Sequence, residues 1–228
     1  MRVDEVLRQL RTLADPERRA GMARYGISVA TALGVTMAEL RALARSTGRD
    51  HDLALALWET GIHEARMLAT MIDEPSRVTD AQLEAWVLDL DSWDLCDGLC
   101  GNLVDRTPFA FDKAVEWSAR EEEFVKRAGF ALMAWSAVHR KDIGDERFER
   151  FLPVIRTGAT DERNYVKKAV SWALRQIGKR SPSLNRAAIA TGEDIARIDS
   201  KAARWVARDA LRELTSDAVR ERLAARAD

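Results

Sequence analysis

At 228 residues, with 46% hydrophobic and 32% charged residues, the chain has the length and composition of a globular protein with a sizeable core, as one large domain or two small ones. No apolar run approaches the roughly 20 residues needed to cross a bilayer, and Met1-Arg2-Val3-Asp4-Glu5 lacks a signal-peptide core, so no membrane partner is expected. A net charge of −1, two cysteines and three histidines point to neither a disulfide scaffold nor an obvious metal ligand set, which leaves the expectation of a metal-free, cofactor-free cytoplasmic protein.

Alanine, leucine, arginine and glutamate, all strong helix formers, dominate the chain, and only 5 prolines and 12 glycines interrupt them. Apolar residues recur at spacings of three and four throughout. The pattern predicts helices near 3–14, 16–24, 36–47, 51–60, 62–73, 79–90, 92–104, 109–119, 121–140, 146–158, 162–179, 182–191, 198–214 and 216–226, and no strands. Thr36 with Glu39 reads as a capping box, and Thr79 and Ser216 read as N-caps. Gly48, Gly144 and Gly178 fall where helices should end. Cys96 and Cys100, one turn apart, read as small buried thiols.

The near-neutral total conceals an asymmetry. Residues 76–118 hold three basic and nine acidic residues, a net of −6, whereas residues 163–212 hold twelve and four, a net of +8. Such a chain can present a basic face, although charge bias alone also fits a set of solvated helix surfaces.

Two self-similarities organise the sequence. Val125-Lys126-Arg127-Ala128 lines up with Val166-Lys167-Lys168-Ala169 after forty-one residues, and Ala173-Leu174-Arg175 with Ala210-Leu211-Arg212 after thirty-seven. Periods near forty with two helices each suggest HEAT-like repeats. The expected fold is all-α: HEAT-like helical repeats in one domain over 1–228, forming a curved α-solenoid with a concave basic groove. Equivalent helices would then bring Trp93, Arg127 and Trp172 to one surface. Trp93 and Asp97 are four apart and share a helix face, where an indole and a carboxylate together would attract a cation.

Several stretches resemble the DNA alkylation repair family of bacterial HEAT-repeat glycosylases. They are Met22-Ala23-Arg24-Tyr25, Gly34-Val35-Thr36-Met37-Ala38-Glu39-Leu40-Arg41, Leu57-Trp58 with His63-Glu64-Ala65-Arg66, Ser92-Trp93-Asp94-Leu95-Cys96-Asp97, Lys126-Arg127-Ala128, and Lys168-Ala169-Val170-Ser171-Trp172-Ala173-Leu174-Arg175. The Ser-Trp-Asp-x-x-Asp and Lys-x-x-x-Trp-x-x-Arg stretches are the specific ones. The resemblance implies a monomeric enzyme that excises purines alkylated at N3 or N7 from double-stranded DNA. It puts the functional aspartate on Asp97, the cleft tryptophans on Trp93 and Trp172, and the DNA-contacting arginine on Arg127. Lys168 and Arg175 match basic positions facing the backbone, and Thr36 a threonine of a DNA-contacting turn. Ser92 stands where some members carry a second tryptophan.

Competing readings remain at this stage. Trp93 and Trp172 fit core positions as well, and Asp94 is a second carboxylate beside Trp93, better placed to favour the start of a helix. Trp58, Trp86, Trp117, Trp135 and Trp205 read as packing residues. His63 reads as a helix-start residue, with Glu64 and Arg66 tying repeats together. Tyr25 fits either a cleft or a buried position. The alternative function is a non-catalytic HEAT-type module binding damaged or branched DNA, or a protein.

Overall fold

The computed structural model describes residues 2–225, and the described residues are helical with no strand. The helices are α1 (Val3–Thr12), α2 (Pro16–Met22), α3 (Met37–Thr47), α4 (His51–Trp58), α5 (His63–Ile72), α6 (Asp80–Leu88), α7 (Trp93–Asn102), α8 (Ala110–Ser118), α9 (Glu123–His139), α10 (Asp145–Glu149), α11 (Phe151–Gly158), α12 (Asn164–Gly178), α13 (Pro182–Ala196), α14 (Lys201–Leu214) and α15 (Asp217–Ala224). Short 3-10 turns cover Ala23–Tyr25 and Val104–Arg106. Two compact units divide the chain, the first ending at Thr107 and the second beginning at Pro108.

In the first unit, the sequence signals at helix starts are realised. The Thr36 hydroxyl accepts from the Glu39 N–H while the Glu39 carboxylate accepts from the Thr36 N–H at 2.8 Å, a complete capping box for α3. Asp15 accepts from the Glu17 and Arg18 N–H groups ahead of Pro16 at the first position of α2. Thr79 accepts from the Gln82 N–H and starts α6. Gly48 closes α3 with φ 77°, a conformation open to glycine.

The core of this unit is built on α4, α5 and α7. Trp58 stacks flat on Trp86, with centroids 4.1 Å apart and planes within 2°, and its Nε1 donates to Asp89 at 2.9 Å. Arg66 packs over the Trp58 ring and donates to Asp89. Glu64, 1% exposed, accepts from the backbone N–H groups of Leu33 (2.8 Å), Gly34 (2.7 Å) and Val35 (3.3 Å). It thereby ties the segment ahead of α3 to α5, the tethering role expected of Glu64 and Arg66. Cys96 and Cys100 are fully buried thiols outside any disulfide, and burial pushes the Cys100 pKa well up.

In the second unit, α9 packs between α8 and α12, and α12 packs against α14. The sequence repeat is the structural repeat: Ser171 Oγ donates to Asp209 at 2.7 Å and Arg175 to Glu213 at 2.6 Å, each pair thirty-eight residues apart. At Gly129 of α9 an added Cβ would lie 2.3 Å from the Ser118 N and 2.9 Å from the Ala114 O, so only glycine lets the two backbones approach this closely.

Three expectations differ in detail. The span near 146–158 divides at Arg150 into α10 and α11, because Pro153 has no N–H to bond back to the Glu149 carbonyl. Gly144 precedes α10 with φ −67° instead of ending a helix. Ser216 starts α15 without a side-chain cap, its hydroxyl donating back to the Glu213 carbonyl at 2.7 Å.

Candidate functional site

Trp93 opens α7, and Asp97 follows one turn later on the same face. Both are half-buried. The Trp93 indole N–H donates to the Tyr25 carbonyl at 2.8 Å, which fixes the ring against the turn after α2. The side chain of Tyr25 stands out, 72% exposed. Tyr25 is therefore not a buried tyrosine: its backbone seats Trp93 and its side chain is open to solvent.

Asp94, the other carboxylate of this turn, is used internally. Its Oδ2 meets His63 Nε2 at 2.9 Å, with the side chains 19% and 5% exposed. Burial opposes the charged form of each group, but their mutual hydrogen bond and attraction prevail. His63 is raised above its usual pKa and Asp94 is held below its own. The pair links the start of α5 to the start of α7 and so braces the turn that carries Trp93 and Asp97. A cavity of about 230 Å³ lies beside it, lined by Met22, Ile27, Thr36, Met37, His63 and Asp94 among others. The Thr36 hydroxyl is engaged in the cap, donating to Glu39 at 2.7 Å.

The second unit holds the other sequence candidates. Trp172 is half-buried on α12, edge-on to Trp135 of α9 with centroids 5.3 Å apart and an interplanar angle of 83°. Trp135 stacks in turn on His139 at 4.9 Å, and its Nε1 is buried without a hydrogen-bond partner. With the Gln176 amide turned to suit its neighbours, its oxygen accepts from Trp172 Nε1 at 3.1 Å and from Lys179 Nζ at 3.2 Å.

The three basic candidates differ from one another. Lys168 is exposed. Arg127 is 6% exposed, and its guanidinium donates to the Tyr165 carbonyl in the first turn of α12 at 2.7 Å. That makes it a strut between α9 and α12, where an open phosphate contact was expected. Arg175 meets Glu213 at 2.6 Å and Asp209 at 3.6 Å, so much of its charge is answered within the fold. Asp161, just before α12, binds Arg163 at 2.6 Å and Lys126 at 3.2 Å. Burial raises its pKa, and these cations more than reverse that, leaving it at about 2.

Trp58, Trp86 and Trp117 are buried at 3% exposure or less, as packing residues should be. Trp135 and Trp205 are only partly buried: Trp135 still packs, against Trp172 and His139, whereas Trp205 lines an open depression. The sequence signal at Trp205 was the repeat itself. Trp205 falls thirty-seven residues after Lys168, which falls forty-one after Arg127, so it occupies a basic position of the earlier repeats.

A family model described as DNA alkylation repair enzyme matches residues 6–214. A solved structure described as "a new family of proteins related to the HEAT-like repeat DNA glycosylases with affinity for branched DNA structures" aligns with a TM-score of 0.79 at 19% identity, covering 98% of this chain and 96% of that chain. At that identity the likeness is one of fold, an all-α HEAT-like repeat architecture. No curated protein matches the sequence.

Proposed function

The chain belongs to the family of DNA alkylation repair enzymes, and within it we propose a monofunctional DNA glycosylase, acting as a monomer without metal or cofactor. Its substrate is double-stranded DNA carrying cationic N3- or N7-alkylated purines. The observation that carries the reading is Asp97, half-buried one turn beyond an indole that the Tyr25 carbonyl holds in place.

A purine alkylated at N3 or N7 is positively charged and leaves readily. The C1′–N bond breaks with its electron pair passing to the base, which departs neutral. The deoxyribose is left with oxocarbenium character. Asp97 stabilises that charge and orients the water that adds to C1′ and releases a proton to solvent. A fixed carboxylate of this kind acts as charge develops, where electrostatic stabilisation is largest. No general acid is needed, because the leaving base is already activated. Trp93 holds the cationic nucleotide by its ring face, a contact of about 0.5–2 kcal/mol. Trp172 is assigned the same task on the DNA that the second unit binds. Lys168 neutralises phosphate, and Arg127 and Arg175, engaged by Tyr165, Glu213 and Asp209, keep the helix that carries it in register. The capped turn at Thr36 approaches the backbone through its N-terminal N–H groups.

A duplex containing N7-methylguanine, assayed for free base, tests the reading. Asp97→Asn is expected to abolish release while retaining duplex affinity. Release undiminished in Asp97→Asn refutes the assigned role. The second reading, a non-catalytic DNA-binding module, draws on the fold neighbour described as having affinity for branched DNA. Tight binding with no release by the wild-type protein would favour it.

A further inference from the structure

The N-terminal ends of α12 and α14 border an open depression of about 550 Å³ that the glycosylase chemistry does not use. Its wall is Trp205, half-exposed, and around the ring stand Lys167, Lys201, Arg204 and Arg208, with Glu162 as the acidic member of the lining. Lys167 Nζ stands 5.5 Å from the Trp205 ring centroid. Arg204 reaches the Asp199 carboxylate at 3.0 Å in a pair that is 52% and 103% exposed, too open to hold the guanidinium from another anion. Lys201, Arg204 and Arg208 are exposed on successive turns of one helix. The volume falls in the range of about 300–1,000 Å³ typical of small-ligand sites.

The repeat gives this pocket its meaning. In the earlier repeats the position of Trp205 carries Arg127 and then Lys168, and the position of Arg204 carries Lys126 and then Lys167. At the positions where α9 and α12 carry cations, α14 thus places an aromatic ring with cations on several sides. Such a combination suits a nucleotide: the ring stacks on the base and the cations take the phosphates on either side. Paired and stacked bases in a duplex keep their faces covered, so an indole ring has nothing to stack on there. An unpaired base has a face to offer.

We propose that Trp205, with Lys167, Lys201, Arg204 and Arg208, forms a subsite for an unpaired nucleotide, engaging a single-stranded arm of the DNA that the second unit binds. The proposal rests on the DNA-binding half of the function proposed above and is independent of base excision. The base stacks on Trp205, Lys167 swings from the ring to a phosphate, and Lys201 and Arg208 hold the phosphates that flank it.

The test compares affinity for a blunt duplex with affinity for the same duplex carrying an unpaired arm of several nucleotides, at fixed salt. Wild-type protein is expected to favour the armed DNA by about five- to a hundredfold, the range of one base–aromatic stack. Trp205→Ala should lose that preference and Trp205→Phe should keep most of it, with blunt-duplex affinity within about twofold throughout. Thermal melting of the variants guards against unfolding, and Trp205→Leu, which keeps apolar bulk without a ring to stack and should also lose the preference, carries the test if the alanine variant is unstable. Equal affinity for both DNAs in the wild type, or an arm preference that survives in Trp205→Ala, overturns the subsite while leaving the repair reading intact. Failure to bind any DNA would overturn both.

Discussion

Glu64→Gln is a nearly isosteric change at one of the most buried carboxylates of the chain, and its cost follows from three hydrogen bonds. Glu64 Oε1 accepts from Gly34 and Val35, and Oε2 accepts from Leu33 at 2.8 Å. A glutamine can keep an oxygen toward Gly34 and Val35 only by turning its NH2 toward the Leu33 N–H, donor against donor. One hydrogen bond to a charged acceptor is then lost, worth about 1.5–3 kcal/mol, and two others fall from charge-assisted to neutral strength, about 1 kcal/mol each. The sum is about 3.5–5 kcal/mol, or a Tm lower by about 7–20 °C for a chain of this size. Urea denaturation followed by circular dichroism, with the first unit's transition resolved, measures it. Asp52→Asn is the control: its exposed pair with Arg77 should contribute under about 1 kcal/mol. A Glu64→Gln cost as small as that of the control would refute the view that this carboxylate anchors the segment ahead of α3.

Other predictions follow from the same geometry. Gly129→Ala should destabilise the second unit by at least about 3 kcal/mol, because the new methyl group meets backbone atoms of α8 that cannot turn aside; a melting curve like that of the wild type would contradict this. The His63–Asp94 pair predicts a pH signature. The raised pKa of His63 contributes stability that is complete below its unfolded value near 6.5 and is lost as pH rises through the folded value. The lowered pKa of Asp94 contributes stability above 3.8 that is lost as pH falls through its folded value. The excess stability of wild type over His63→Gln should therefore be larger at pH 5.5 than at pH 8.5, as read by urea titration at the two pH values. Lys168→Met should lower the slope of log affinity against log salt by about 0.9, the share of one phosphate contact. Arg175→Met, already paired with Glu213 and Asp209, should instead lower stability with little change in slope; equal slope changes for the two would contradict the distinction drawn between them.

The helices were legible because their signals are local. The capping box at Thr36, the cap at Thr79 and the glycine at Gly48 each act within one turn, and the structure carries all three. The repeat was legible because its pattern recurs on α9, α12 and α14. Side-chain partners were not, since they come from residues about forty positions away that periodicity does not name. Arg127 and Arg175 read as basic positions toward DNA, and periodicity did not show that the Tyr165 carbonyl engages the one and Glu213 and Asp209 the other. The same gap hid Trp205 among the packing tryptophans: a tryptophan at helical spacing reads the same whether its neighbour covers it or leaves it partly open. Asp94 went the other way. Its reading as a helix-start charge was sound, and the buried partner that fixes it, His63, sits thirty-one residues earlier.

The central claim concerns Asp97, and single-turnover release of free N7-methylguanine from a duplex by the wild-type protein and by Asp97→Asn addresses it directly. The account predicts release well above spontaneous loss in the wild type and at the spontaneous rate in the variant, with both proteins binding the duplex alike. Wild-type release no faster than spontaneous loss, under conditions where the duplex is fully bound, would contradict it.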